Sequence, residues 1–493
     1  MRLARHIRRR TDAVRSFSAP TMPVAKRHDW LSTLEDADVA KLSARCSKII
    51  EGTDACAQYN KDWMNKWEGQ ARIVAQPAST EEVSAVLKYC DDRKLAVTTQ
   101  GGKTGLVGGS VPVHDEVILS TTRLNTIEGL DGDTGVVTCQ AGVVLETLDA
   151  YLRECGFVAP LDLGAAGTCT IGGNLATNAG GVRFLRYGSL RGSCVGIEFV
   201  KADGTIVDCA RTSLRKDNTG YALPQLLIGS EGTLGVITKC CIACPALAPF
   251  VNVAWLACRD FEEVRKVLTT ARSTLGEILS AVEFLDRGAL DATIRAHPGI
   301  EDPLETDAPF RVLVETAGCD ATHDATKLES FLEAIDVEDG CVAPTASAIN
   351  NLWTLREGVS DAMTSRGFVY KYDVSLPPSS LYDLVEKTTE RLRHLDIDVA
   401  GYGHVGDANL HLNVCDTNGY RDEVHALLEP WVYEEVARAS GSISAEHGVG
   451  QCKPDYLHLN KSDEAMALMG AVKKAMDPHL ILNPYKVLPA SVL

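Results

Sequence analysis

Three glycine-rich segments fall within 135 residues of this chain. The first is Gln100-Gly101-Gly102-Lys103-Thr104-Gly105, with Gly108, Gly109 and Ser110 close behind. The second runs from Gly164 to Gly181, and the third is Gly229-Ser230-Glu231-Gly232-Thr233-Leu234-Gly235. Glycine lets backbone N–H groups come close to a ligand and takes up positive φ. Clusters of such N–H groups bind phosphate oxygens. No segment has Gly-Lys-Ser/Thr at Walker spacing, and none has the Gly-x-Gly-x-x-Gly of a dinucleotide-binding unit. Three such segments with Thr, Asn and Ser among them favour a long pyrophosphate-bearing cofactor over chance turns.

The 493 residues suit about three structural units. The formal net charge is −17, which argues against nonspecific binding to DNA or acidic lipid, so an anionic substrate needs a local cationic pocket. No apolar run is long enough to span a membrane. The 16 cysteines are scattered, which reads as reduced thiols in an intracellular compartment. Cys240, Cys241 and Cys244 lack the second pair that a four-cysteine zinc site needs. Residues 1–20 carry six arginines and one acid with Ser16 and Ser18, the composition of a mitochondrial transit peptide cut soon after Arg15. A basic disordered tail is the alternative.

Residues 28–70 read as polar and helical, with Trp30, Trp63 and Trp67 as apolar anchors. A short strand begins at Val74. Ser79-Thr80-Glu81-Glu82 then caps an amphipathic helix carrying Val83, Val86 and Leu87. A strand over 95–99 leads into the first glycine segment. Helices and strands alternate from about residue 248, β-like sequence returns over 396–416, and 424–438 and 462–476 read as helices.

Residues 71–246 resemble the FAD-binding domain of the vanillyl-alcohol oxidase and p-cresol methylhydroxylase group. Residues 164–181 and 215–235, with Leu-Arg-Lys-Asp-Asn-Thr-Gly-Tyr at 214–221, look specifically like the D-2-hydroxyglutarate dehydrogenase family. The resemblance implies an α+β fold: an FAD-binding domain of that type over 71–246, an α/β substrate-binding domain over 247–425 and a small helical C-terminal region over 426–493. Residues 1–20 would be the transit peptide and 21–70 a helical arm. It further implies that the loops wrap FAD through Gln100, Gly101, Gly102, Lys103, Thr104, Gly105, Gly109, Ser110, Gly164, Thr168, Gly172, Gly173, Asn174, Asn178, Gly180, Glu231, Gly235, Ile237 and Asn483. The family's first loop reads Pro-Gln-Gly-Gly-Asn-Thr-Gly. Here Thr99 and Lys103 replace its Pro and Asn, and Lys103 is expected to add a charge near the phosphates. No histidine lies in the first two loops. Cys169 does, but covalent attachment is not a property of the resembling family, so the FAD is expected to be non-covalent.

Residues 398–414 carry the chemistry. Leu410, Leu412 and Val414 alternate with His411 and Asn413, which places His411 and Asn413 on one strand face. A two-residue hairpin turn at Asp407-Ala408 sets His404 opposite His411, close enough for two imidazoles to share one metal ion. Asp-Ala is a poor turn of that kind. The resemblance points to Ser444-Ala445-Glu446-His447-Gly448 for the rest. It implies a His404, His411, Glu446 site for Zn²⁺ or a similar ion, with His447 as base. Such an ion lowers the pKa of a 2-hydroxy acid's hydroxyl and orients C2. A neutral imidazole, with a pKa near about 6.5, then accepts the proton.

Arg356 in Leu-Trp-Thr-Leu-Arg-Glu-Gly, Ser360 four residues later on one helical face, and Lys371 in a strand-like run offer a carboxylate clamp. The alternative is a surface ion pair. The resemblance assigns these positions to the substrate's second carboxylate, and Asn413 is a further contact. It implies a matrix enzyme that passes electrons to electron-transfer flavoprotein. The rivals are a D-lactate or glycolate dehydrogenase of the same flavin family, and a flavin-free module that binds metal and carboxylate.

Overall fold

Ser79 caps its helix as its position predicts. Its hydroxyl accepts from the Glu82 N–H at 3.3 Å and opens Thr80–Arg93. That helix buries Val83, Val86, Leu87 and Cys90 in one core with Ile73, Ala75, Val97 and Leu119 of the first sheet. The computed structural model describes residues 25–211 and 214–493, so the transit peptide read over 1–20 lies outside the described residues.

The first sheet is ordered Ile49–Glu51, Ile73–Ala75, Val117–Ser120, Val97–Gln100, parallel except for its first pair. The C-terminal tail extends its far edge, because Val97 bonds both Ile481 and Asn483. A second sheet of five antiparallel strands, with Val236–Ala243 at its centre, follows in the same half of the chain. The third sheet has seven antiparallel strands: Asp339–Val342, Phe250–Cys258, Phe310–Gly318, Leu279–Asp286, Asp398–His404, Asn409–Asp416 and Phe368–Ser375. Separate apolar cores cover its two faces. Phe368–Ser375 is therefore an edge strand, and the N-terminal arm lies beside it, with the Lys66 ammonium 5.2 Å from the Phe368 ring centre.

The arm corrects the helical reading of residues 28–70. Helix is confined to Asp36–Ser43, the short Thr53–Cys56 and the 3₁₀ turn Ala57–Tyr59 that follows it, and Ile49–Glu51 is a strand. Of the three tryptophans only Trp67 is buried, while Trp30 and Trp63 are 44% and 51% exposed. The helix expected over 424–438 is two, Asp422–Leu428 and Trp431–Arg438, because Pro430 between them cannot continue the backbone hydrogen bonding.

Candidate active site

The hairpin pairs His404 with Asn409 and Tyr402 with His411, which corrects the expected opposition of His404 and His411. The connection is not Asp407-Ala408 alone. A 3₁₀ turn over Val405–Asp407 closes on Ala408 at φ 66°, a left-handed conformation that alanine seldom adopts. The slip is two residues, an even number, so every side chain keeps its face. The two imidazoles still meet, diagonally, with ring centres 5.2 Å apart.

On the other side of Asn409–Asp416, Lys371 pairs with Asn413 and Asp373 with His411. Lys371, Asp373, His411, Asn413 and Tyr402 thus share one face of three adjacent strands. At one end the Lys371 ammonium donates to the Ser360 hydroxyl at 2.8 Å. In the middle the Asn413 amide donates to the Tyr402 hydroxyl at 3.1 Å. At the other end single ligand atoms of Asp373, His411, Glu446 and His447 lie within 4.8 Å of one another. Asp373 orients this end: its carboxylate accepts the N–H groups of Glu446 and His447, each at 2.9 Å, and the Asn409 amide at 2.8 Å. Burial would raise its pKa, but His447 and His411 hold it well below the usual range. Asp373 was not among the residues expected from sequence. Its two-residue spacing from Lys371 was the available signal.

His404 stands beside this group. Its Nδ1 lies 2.9 Å from Glu283 Oε1, and although burial disfavours its charged form, Glu283 raises its pKa to about 9. Arg356 reaches the same carboxylate, Nη2 to Oε2 at 2.7 Å, and its guanidinium also faces the Tyr402 ring. Arg356 is therefore half of a buried ion pair, neither a surface pair nor a free cation. The single helical face expected for Arg356 and Ser360 is interrupted, because Ala346–Glu357 ends before Gly358 and Ser360 lies in Val359–Thr364.

The glycine loops meet as a pair. A Cβ on Gly102 would fall 2.1 Å from the Thr168 carbonyl and one on Gly101 2.5 Å from the Thr170 hydroxyl, so only glycine permits this contact. The N–H groups of Gly102, Lys103, Thr104 and Gly105 have no acceptor within the described residues. The buried hydroxyls of Thr99 and Thr170 also lack partners, and the Cβ positions of Gly105 and Gly164 face open space. Unspent donors at close-packed glycines suit a pyrophosphate. Thr104, Ser110, Thr168, Gly172 and Gly173 lie in these loops or at their edges. Several of the other expected contacts are committed to the protein itself. Gln100 bonds the Tyr59 and Ser110 carbonyls, Asn174 faces Cys169, Asn178 accepts from Ser189 and Arg191, and Asn483 bonds Thr99 and Glu231. Gly235 packs on Phe199, and Ile237 sits within a buried strand. Lys103 departs from the expectation of a charge near the phosphates, because its ammonium reaches the Gln58 and Lys61 carbonyls.

The glycine half also holds the loop of Glu446 and His447. Gly181 donates to Glu446 Oε2 at 2.8 Å, and a Cβ on Gly180 would touch that carboxylate. Glu231 accepts from Val449 and Gly450 at 2.7 and 2.8 Å, and Gly109 lies against it.

Residues 71–210 match the FAD binding domain model and 247–487 the model of the FAD linked oxidases, C-terminal domain. The structure aligns with p-cresol methylhydroxylase at a TM-score of 0.75 over 92% of this chain and 97% of that one, at 16% identity. These matches define an FAD-dependent oxidoreductase, and its fold is that of p-cresol methylhydroxylase. Sequence relatives narrow this. A mitochondrial D-2-hydroxyglutarate dehydrogenase of Danio rerio is 50% identical, covering 90% of this chain and 84% of its own. A Schizosaccharomyces pombe chain provisionally named a mitochondrial D-lactate dehydrogenase is 46% identical, over 92% and 90%. A D-2-hydroxyglutarate–pyruvate transhydrogenase of Saccharomyces cerevisiae is 41% identical, over 96% and 98%. The chain belongs to the D-2-hydroxyglutarate dehydrogenase family. Among the described residues no helix is long and apolar enough to cross a membrane.

Proposed function

We propose that this chain is a mitochondrial matrix flavoenzyme that oxidises D-2-hydroxyglutarate to 2-oxoglutarate. The observation that carries the reading is a single sheet face on which Lys371, bonded to Ser360 of the adjacent helix, and His411, beside Glu446 and His447 of a loop, stand on neighbouring strands as a cationic end and an imidazole–carboxylate end. Among the described residues Lys371 donates to Ser360 and forms no ion pair, with Asp361 acting on it only at longer range, so its charge is available to a ligand. Burial, then repulsion by Lys66, lowers its pKa to about 8.

When bound, FAD supplies the acceptor for the C2 hydride, and a divalent ion such as Zn²⁺ supplies charge that lowers the hydroxyl pKa. The donor chemistry favours His404, His411 and Glu446 for the ion. Asp373 is spent on Glu446, His447 and Asn409, whereas the His404 Nδ1–Glu283 contact commits one ring nitrogen and leaves the other for a metal. His447 is then free to take the hydroxyl proton at an imidazole nitrogen. Lys371 and Ser360 hold the distal carboxylate, Asn413 orients the substrate between the two ends, and Arg356 steadies Glu283 and Tyr402 beneath it.

A panel of D- and L-2-hydroxy acids with an artificial electron acceptor tests the reading. D-2-hydroxyglutarate is expected to give the highest kcat/KM, and equal or better turnover of D-lactate would favour the lactate rival. For the physiological acceptor we propose electron-transfer flavoprotein. Reduction of pyruvate in its place would point to the reaction named for the yeast relative.

A further inference from the structure

Lys66 lies on the arm, outside both matched regions. Its backbone is fixed: the Asp62 carboxylate accepts the N–H groups of Met64, Lys66 and Trp67 at 3.3, 2.7 and 2.9 Å. Trp67 is wedged against Gly108, where a Cβ would fall 2.8 Å from the indole. This turn presents the half-buried Lys66 side chain to the cavity that Lys371 and His447 also line. The Lys66 ammonium stands 5.2 Å from the Phe368 ring centre, and the Lys371 ammonium 5.7 Å from that of Trp63, so arm and edge strand interlock. Burial lowers the pKa of both lysines, and the charge of Lys66 lowers that of Lys371 further.

The acids lining this cavity are Asp373 and Glu429. Asp373 is committed to the loop of Glu446 and His447, and Glu429 to Tyr372 and His425. The third lysine, Lys453, donates to the Ile443 carbonyl. Lys66 and Lys371 therefore stand as two mutually repelling ammoniums, and among the described residues the acids that act on them, Asp62 and Glu429 on Lys66 and Asp361 on Lys371, form no ion pair with either. Such a pair is relieved by an anion between them.

We infer that Lys66 is a specificity-determining residue: with Lys371 it holds the distal carboxylate of a dicarboxylate substrate in the cavity lined by Phe368 and His447. This rests on the function proposed above. It adds that selection between dicarboxylate and monocarboxylate 2-hydroxy acids is made by the N-terminal arm as well as by the sheet. Arg356 takes no direct part, because its charge is already matched by Glu283.

The test uses the flavin-loaded enzyme and an unreactive ligand. Glutarate, with butyrate as the one-carboxylate control, is titrated against the protein's tryptophan fluorescence and flavin spectrum. Lys66→Met is expected to weaken glutarate about ten-fold or more while moving butyrate less than about two-fold, the size of a lost charged hydrogen bond. Lys66→Arg is expected to recover most of the loss. In turnover, Lys66→Met should compress the D-2-hydroxyglutarate to D-lactate ratio of kcat/KM by the same factor. Unchanged glutarate binding in Lys66→Met, alongside a clear loss in Lys371→Met, overturns the inference and leaves the proposed function intact. Equal weakening of glutarate and butyrate also overturns it, because that pattern is a folding effect. Failure of the wild type to oxidise D-2-hydroxyglutarate is read separately, in the activity assay, and overturns the proposed substrate instead.

Discussion

Glu283 offers the sharpest structural prediction. Its side chain is 1% exposed, and that of its partner Arg356 is 5% exposed. Three contacts converge on one carboxylate: Arg356 Nη2 at 2.7 Å, Arg356 Nε at 3.0 Å and His404 Nδ1 at 2.9 Å. Glu283→Gln keeps the shape, removes the charge and leaves a guanidinium buried without its counter-ion. Breaking one side of a buried pair costs about 3–5 kcal/mol. At about 2–4 °C per kcal/mol for a domain of roughly 150–250 residues, the melting temperature should fall by about 6–20 °C. Differential scanning fluorimetry, with flavin release as a second probe, measures this. The double variant Glu283→Leu/Arg356→Met should recover much of the loss, because it removes the unpaired charge as well. A Glu283→Gln protein melting within about 2 °C of wild type would refute the reasoning, as would a double variant less stable than the single.

Other consequences follow from the same geometry. Heat or acid should free all of the flavin, because Cys169 is buried with its thiol pushed up to about 11 and faces Asn174; colour retained on the denatured chain would implicate it. Chelation with EDTA should abolish turnover while flavin stays bound, and full activity with no metal by elemental analysis would overturn the ligand assignment. Lys486 is buried, its ammonium bonded among the described residues to the Thr98 hydroxyl alone at 3.3 Å, and burial lowers its pKa to about 8 against the pull of Glu116 and Glu231. Between pH 8 and the unfolded value of about 10.4 the unfolded chain binds more protons, so this group's cost is full below pH 8 and is relieved as pH rises. Lys486→Met should therefore raise the melting temperature by about 2–4 °C at pH 7, with the gap closing by pH 10; a gap constant with pH would contradict this.

The parts of the site that the sequence made legible are local ones. Period-two alternation placed His411 and Asn413 on one face, and the capping pattern at Ser79 gave its helix. The hairpin register was not legible, because Ala408 adopts a left-handed conformation that its residue type argues against, and the loop is longer than a two-residue turn. Parity preserved the face despite that slip. Glu283 was invisible because its role depends on Leu279–Asp286 pairing with Asp398–His404, strands more than a hundred residues apart. The fate of Arg356 was hidden for the same reason. Trp63 reads as a core residue by type, yet its ring is half exposed beside the Lys371 ammonium. Lys103 turned toward the arm because the carbonyls of Gln58 and Lys61 lie within its reach, a contact that no motif in the glycine loop encodes.

The central claim is that D-2-hydroxyglutarate delivers its hydride to the flavin of this chain. Anaerobic titration of the flavin-loaded enzyme tests it most directly, because no external acceptor is involved. The account predicts that D-2-hydroxyglutarate bleaches the flavin with one 2-oxoglutarate formed per flavin reduced, while equal concentrations of the L-enantiomer or D-lactate leave the spectrum largely unchanged. Bleaching by D-lactate as readily as by D-2-hydroxyglutarate, or no bleaching by D-2-hydroxyglutarate at all, would contradict it.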